Sequence, residues 1–147
     1  MIVSGDLRIS DTLALTNTQL LILAATPVEI IPAPGAGLVV VPLHMAVRFV
    51  RGTVAYNSNR GLRLEYTSST TNLVQAVTIS FADGGGAARD QYYNVQRLLT
   101  AAFADDFNPS NRALEVLLDG DINNGNAADL LYCSVLYEVV PSAALGY

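Results

Sequence analysis

The sequence predicts a single, mainly β domain: a sandwich or barrel of short strands. Three observations carry that expectation. Short runs rich in Val, Ile, Leu and Tyr recur between clusters of Gly, Pro, Asn and Asp, and turn signals at roughly 8–12-residue spacing mark all-β sandwiches and barrels. Two of these runs, Leu62–Tyr66 and Val74–Phe81, alternate apolar and polar residues, as strands with one buried face do. The chain has 147 residues with neither an internal repeat nor a linker, so it reads as one domain, 1–147, able to bury about two thirds of its unfolded surface without a disulfide or metal staple.

Ile2–Ile9 alternates loosely and reads as a short edge strand or, with the rest of Met1–Thr12, as an N-terminal arm. Thr16 and Gln19 have capping-box spacing ahead of an apolar run, which predicts a short helix over Asn17–Ala24. Pro27 stops it, because the residue before a proline avoids helical angles. Val28–Ile31 is a strand. Two prolines and two glycines within Pro32–Gly37 then make a stiff, tight turn.

Leu38–Val41 is a β-branched strand, broken or bulged at Pro42 and resumed over Met45–Val50. Thr53–Tyr56 is another short strand, and Asn57–Gly61 a turn. Asp83–Gly86 is a flexible loop by composition. Beyond it Tyr92, Val95, Leu99 and Ala102 fall at helical spacing, which predicts an amphipathic helix over Ala88–Ala104. Ala113–Leu118 is a strand, Asp119–Asn126 a polar turn, and Leu130–Val140 the longest strand, best placed centrally.

Hydrophobic residues make up 51% of the chain and charged residues 14%, against about 25% charged in an average soluble domain. Charge depletion marks buried interface cores, so the composition fits an obligate assembly or an unusually apolar monomer. All eight basic residues are Arg. That fits interfacial use, since Arg is weakly hydrated and pairs in a planar fork, or the codon bias of a GC-rich genome. A net charge of −5 and scattered Arg residues argue against a nucleic-acid partner. Met1–Asp11 holds two Asp and lacks an apolar core segment, so no secretory signal is expected. No apolar run reaches the ~18 residues of a membrane helix.

The chemistry-bearing residues do not assemble into a catalytic motif, and the expectation is a protein that is not an enzyme and needs no cofactor or metal. His44 is the only histidine and Cys133 the only cysteine, too few for a four-ligand zinc site. There is no Gly-x-Ser-x-Gly elbow to place a nucleophile. Asp119, Asp121 and Asn123 have the alternate oxygen spacing of a calcium loop, but the glycine comes one position late and Leu130 stands where a bidentate Glu belongs; the segment reads as a plain turn. Gly84–Gly86 lacks the Lys and Ser/Thr of a phosphate loop, and the adjacent Asp105 and Asp106 point apart. Seven tyrosines without tryptophan suit either sugar stacking or a protein interface.

The segments Thr16–Leu21, Thr26–Gly37, Val39–Leu43 and Gly52–Tyr56, with Ala113–Asp121 and Leu131–Pro141 near the end, together resemble small tailed-bacteriophage virion proteins in which a leading helix meets a Pro-Ala-Pro-Gly turn and a β-domain. The resemblance implies a jelly-roll capsid decoration (cement) protein. Such proteins commonly sit as homotrimers on the outer surface of the capsid, bound to the major capsid protein. It brings no catalytic residue with it. The alternative expectation is a host-recognition or carbohydrate-binding module of a tail or head fibre, which an exposed cluster of Tyr with Asp or Asn in a concave site would favour.

Overall fold

The computed structural model describes residues 6–68, 73–82, 88–96 and 108–146. The described chain is mainly β, as predicted, and forms two antiparallel sheets. Its strands are β1 (Asp6–Ile9), β2 (Leu13–Thr16), β3 (Val28–Ile31), β4 (Leu38–Arg51), β5 (Arg60–Tyr66), β6 (Leu73–Ile79), β7 (Arg89–Gln96), β8 (Leu114–Leu118) and β9 (Leu130–Pro141). One short helix, α1 (Asn17–Ile22), follows β2, and a 3-10 turn over Ser142–Leu145 follows β9.

The first sheet has the order β1-β9-β4-β7, and β2 continues the β1 edge along β9. β1 lies against residues 136–139 and β2 against 130–133. The second sheet has the order β3-β8-β5-β6. If β1 and β2 count as one interrupted strand, the hairpin pairings nest. β5 pairs β6, β4 pairs β7, β3 pairs β8, and the β1/β2 edge pairs β9. The remaining ladders, β4 with β9 and β5 with β8, join these nested pairs into sheets.

Inward residues of both sheets form one cluster. Met45, Val47, Phe49, Leu131, Cys133 and Val135 come from the first sheet, and Leu62, Leu64, Leu114, Val116 and Leu118 from the second. Register explains the sharing: Met45 stands opposite Val135, Val47 opposite Cys133 and Phe49 opposite Leu131, so each pair shares a face. α1 adds Leu20 to the cluster, and Leu23, which caps its C-terminus, joins it. Its capping box is formed as expected: the Thr16 N–H donates to Gln19 Oε1 at 2.9 Å, and the Gln19 N–H to Thr16 Oγ1 at 3.5 Å.

Several predicted elements are corrected. Arg89–Gln96, expected as part of a helix, is strand β7. Its exposure alternates, with Asp90, Tyr92 and Asn94 outward and Val95 buried, so period two overrides the helical spacing once the segment pairs with β4 over its whole length. Residues 97–104 of that expected helix, and the loop Asp83–Gly86, lie outside the described residues. Leu38–Val50, expected to be broken or bulged at Pro42, is bulged: it lies in one strand whose register with β9 shifts between Pro42 and His44. A bulge absorbs the missing Pro42 donor without ending the strand.

Thr53–Tyr56 is not a strand; only Tyr56 bridges, to Asn124. Leu13–Thr16, unassigned by its sequence, is β2. Within the expected arm, Asp6–Ile9 is hydrogen-bonded to β9 as an edge strand, with all four residues exposed.

Candidate functional site

An outward sheet face in contact with water should be polar. The outer face of the first sheet departs from that rule. Along β9 its positions are Leu130, Tyr132, Ser134, Leu136 and Glu138, and along β4 they are His44, Ala46, Arg48 and Val50. Register aligns these into cross-strand rows: Tyr92–Arg48–Tyr132–Ala14, Asn94–Ala46–Ser134, and Leu136–Ile9. On the β1 side, Leu7 and Ile9 are 62% and 73% exposed, and on the β7 side Tyr92 is 69% exposed. These are large apolar surfaces left in water.

The most structured part of this face centres on Arg48. Its Nε and Nη2 donate to the Asp90 carboxylate at 3.3 and 2.8 Å. The bond to Asp90 holds the guanidinium still more firmly protonated. The same guanidinium lies 5.6 Å from the Tyr92 ring centre and 5.8 Å from that of Tyr132, within cation–π range. Thr12, Asn94 and Ser134 help line a shallow hollow of about 190 Å³ beside it. A drug-sized ligand needs roughly 300–1,000 Å³, so this hollow suits a single ring or a protruding side chain.

The residues singled out by sequence do not converge on this centre. His44 is half-buried on β4, opposite Leu136 and Gln96. Cys133 is buried in the core, where burial pushes its thiol up to about 12, far from a reactive thiolate at neutral pH. The Asp119–Asn126 segment is tied to the start of β5. Asp119 Oδ1 accepts from the Gly61 N–H at 3.0 Å, the Arg60 guanidinium donates to the Asp121 carbonyl at 3.0 Å, and Asn57 Oδ1 accepts from the Asn123 N–H at 2.9 Å. Among the described residues no three His, Cys, Asp or Glu side chains gather as a metal site would need. Asp105, Asp106 and Gly84–Gly86 lie outside the described residues.

Sequence reading missed two things. One is Asp129, which is fully buried and accepts from the N–H groups of Gly52 at 2.6 Å and Asn126 at 2.7 Å, so it clamps two loops together. A single Asp ahead of an apolar strand carries no sign of that. The other is the Arg48 cluster. Its residues lie on three strands, and only the register brings them together; the signal in the sequence was the exposed-type pair Asp90 and Tyr92 two residues apart, hidden by the helical reading. Comparison with protein-family models, with curated proteins and with solved structures finds no match for this chain.

Proposed function

We propose that this chain is a jelly-roll capsid decoration (cement) protein of a tailed bacteriophage. In this reading it binds the major capsid lattice from outside, assembles with copies of itself and stabilises the head. The observation that carries the reading is the strand order. Eight strands, with β1 and β2 taken as one, lie in two four-stranded layers whose pairings nest first with last, second with seventh, third with sixth and fourth with fifth. That order supports the reading of a long hairpin wound into a jelly roll, an architecture used by viral capsid and lectin domains. The exposed apolar rows on the first sheet supply a contact surface of the kind assembly requires. The chain's net charge of −5 disfavours nucleic acid as the partner.

The test is to add the purified protein to shells that lack it, sediment them, and heat them. The proposal expects co-sedimentation and DNA release at a higher temperature. Release at the same temperature with and without the protein would overturn it.

A second reading is favoured by one specific observation. Tyr92 and Tyr132 flank a bidentate Arg48–Asp90 pair, with Asn94 and Ser134 at hand. Aromatic faces beside fixed donors and acceptors suit a neutral sugar ring, which would make the chain a carbohydrate-binding module of a phage fibre. Glycan-array binding that is lost in Tyr92→Ala would support this reading; no binding to any glycan would remove it.

A further inference from the structure

We propose that the free edge of β1 pairs with β1 of a second copy of this chain, antiparallel about a two-fold axis through Leu7. The inference rests on the reading that the chain assembles with itself. Proteins usually blunt an edge strand by keeping it short or charged, with Pro or a bulge, or by covering it. Among the described residues β1 is the last strand on its side of the sheet; it is short and reads Asp-Leu-Arg-Ile, yet its edge is uncovered and Leu7 and Ile9 are 62% and 73% exposed.

Backbone direction confines the axis to a residue position, and charge and the length of paired strand choose among the three. The Ser10 N–H donates to the Val135 carbonyl at 2.9 Å. In an antiparallel pair, alternate residues turn their N–H and C=O to the neighbour. Asp6 and Arg8 therefore aim theirs at β9, and Leu7 and Ile9 aim theirs at the open side. A two-fold axis at Leu7 lets the two copies of that residue exchange N–H···O=C bonds. It also places Asp6 of each copy opposite Arg8 of the other, in the non-hydrogen-bonded positions where side chains approach closest. An axis at Arg8 would set Leu7 opposite Ile9 of the other copy through the same outward-turned backbone groups, but would oppose two cations in the positions where side chains approach closest. An axis at Ile9 would leave Ile9 alone paired within the strand, against Asp6, Leu7 and Arg8 for the axis at Leu7.

In one chain Asp6 and Arg8 sit 3.9 Å apart and largely in water, so both are available to a partner. The contact is isologous and closes at two copies. A three-fold assembly would need a different surface. Three residues a side make a weak contact in solution, and avidity on a repeating shell would strengthen it.

The experiment uses the full chain. Leu7→Cys should cross-link to itself with a short bis-maleimide. Ile9→Cys, about four residues from its counterpart in this register, should cross-link at least tenfold more slowly, and the wild type, whose only thiol is the buried Cys133, should not react. Sedimentation should show about tenfold weaker self-association for Asp6→Arg and for Arg8→Asp, each of which opposes like charges, and recovery in the double swap. A wild type that is monomeric at every concentration would overturn both this inference and the self-assembly reading. An oligomeric wild type whose association ignores these substitutions, or cross-links as well through Ile9→Cys as through Leu7→Cys, would overturn the edge pairing alone. Cross-linking of Leu7→Cys only to a shell protein would also overturn it.

Discussion

Individual residues set two measurable properties. Glu29, Glu115 and Glu65 stand directly opposite one another across β3, β8 and β5. Burial, and then the charge of Glu29, raises the Glu115 carboxyl above its ordinary 4.5. Burial raises that of Glu65, with Glu115 adding to the rise and Arg63 opposing it. A carboxyl raised by folding penalises the folded state when ionised. The penalty is full above the raised value, falls as pH drops through it, and is gone below the unfolded value. Acidification from neutral toward about pH 5 should therefore raise the melting temperature. Glu115→Gln should stabilise the protein at pH 7 by about 0.5 kcal/mol, the scale of a like-charge cross-strand pair, and flatten the pH response. A melting temperature that falls steadily from pH 7 to about pH 5 in both proteins would contradict this.

Gly125 sets the second property. Its φ of +81° is left-handed, and a methyl there would overlap the ring of Tyr56. That ring packs edge-on against Phe81, and its hydroxyl donates to Asn17 Oδ1 at 2.6 Å. Gly125→Ala should therefore cost about 2–3 kcal/mol in chemical denaturation, against about 1 kcal/mol for Tyr56→Phe, which loses one hydrogen bond.

At the scale of elements, legibility followed how local the deciding interaction is. α1 was readable because its signal, Thr16 and Gln19 three residues apart, is the capping contact itself. Thr16→Ala should cost about 1 kcal/mol, measured by thermal melting, and Thr16→Ser should recover most of it. Val28–Ile31 and the closing strand were readable because β-branched runs ended at Pro or polar turns. β7 was misread because Tyr92, Val95 and Leu99 satisfy a helical period over a window this short, and only the opposing β4 register decides between the two periods. β2 went unseen because its four residues, Leu13–Thr16, are too few to show alternation and take their conformation from β9.

For the whole molecule, the class of fold was written in local turn spacing, but the strand order was not. The β1/β2 edge pairs with β9 across more than a hundred residues of chain, and no local pattern encodes such a partner. The outer-face cluster was illegible for the same reason, since Arg48, Asp90, Tyr92 and Tyr132 meet only after β4, β7 and β9 are in register. The nested order also says which part of the molecule is dispensable. Within the outermost nested pair only β1 stays out of the core: Asp6–Ile9 are all exposed, whereas Leu15 of β2 is fully buried.

Among the described residues, removal of β1 bares one side of residues 136–139, whose other side remains paired with β4; the variant is the chain without residues 1–9. Ser10, whose hydroxyl accepts from the Val135 N–H at 2.9 Å, stays in place. The truncated chain should therefore still unfold in one cooperative step, with a melting temperature lower by about 3 °C for a loss near 1 kcal/mol, while self-association through β1 disappears. A truncated chain that no longer unfolds cooperatively would mean that β1 is integral to the sandwich and not an edge held ready for a partner.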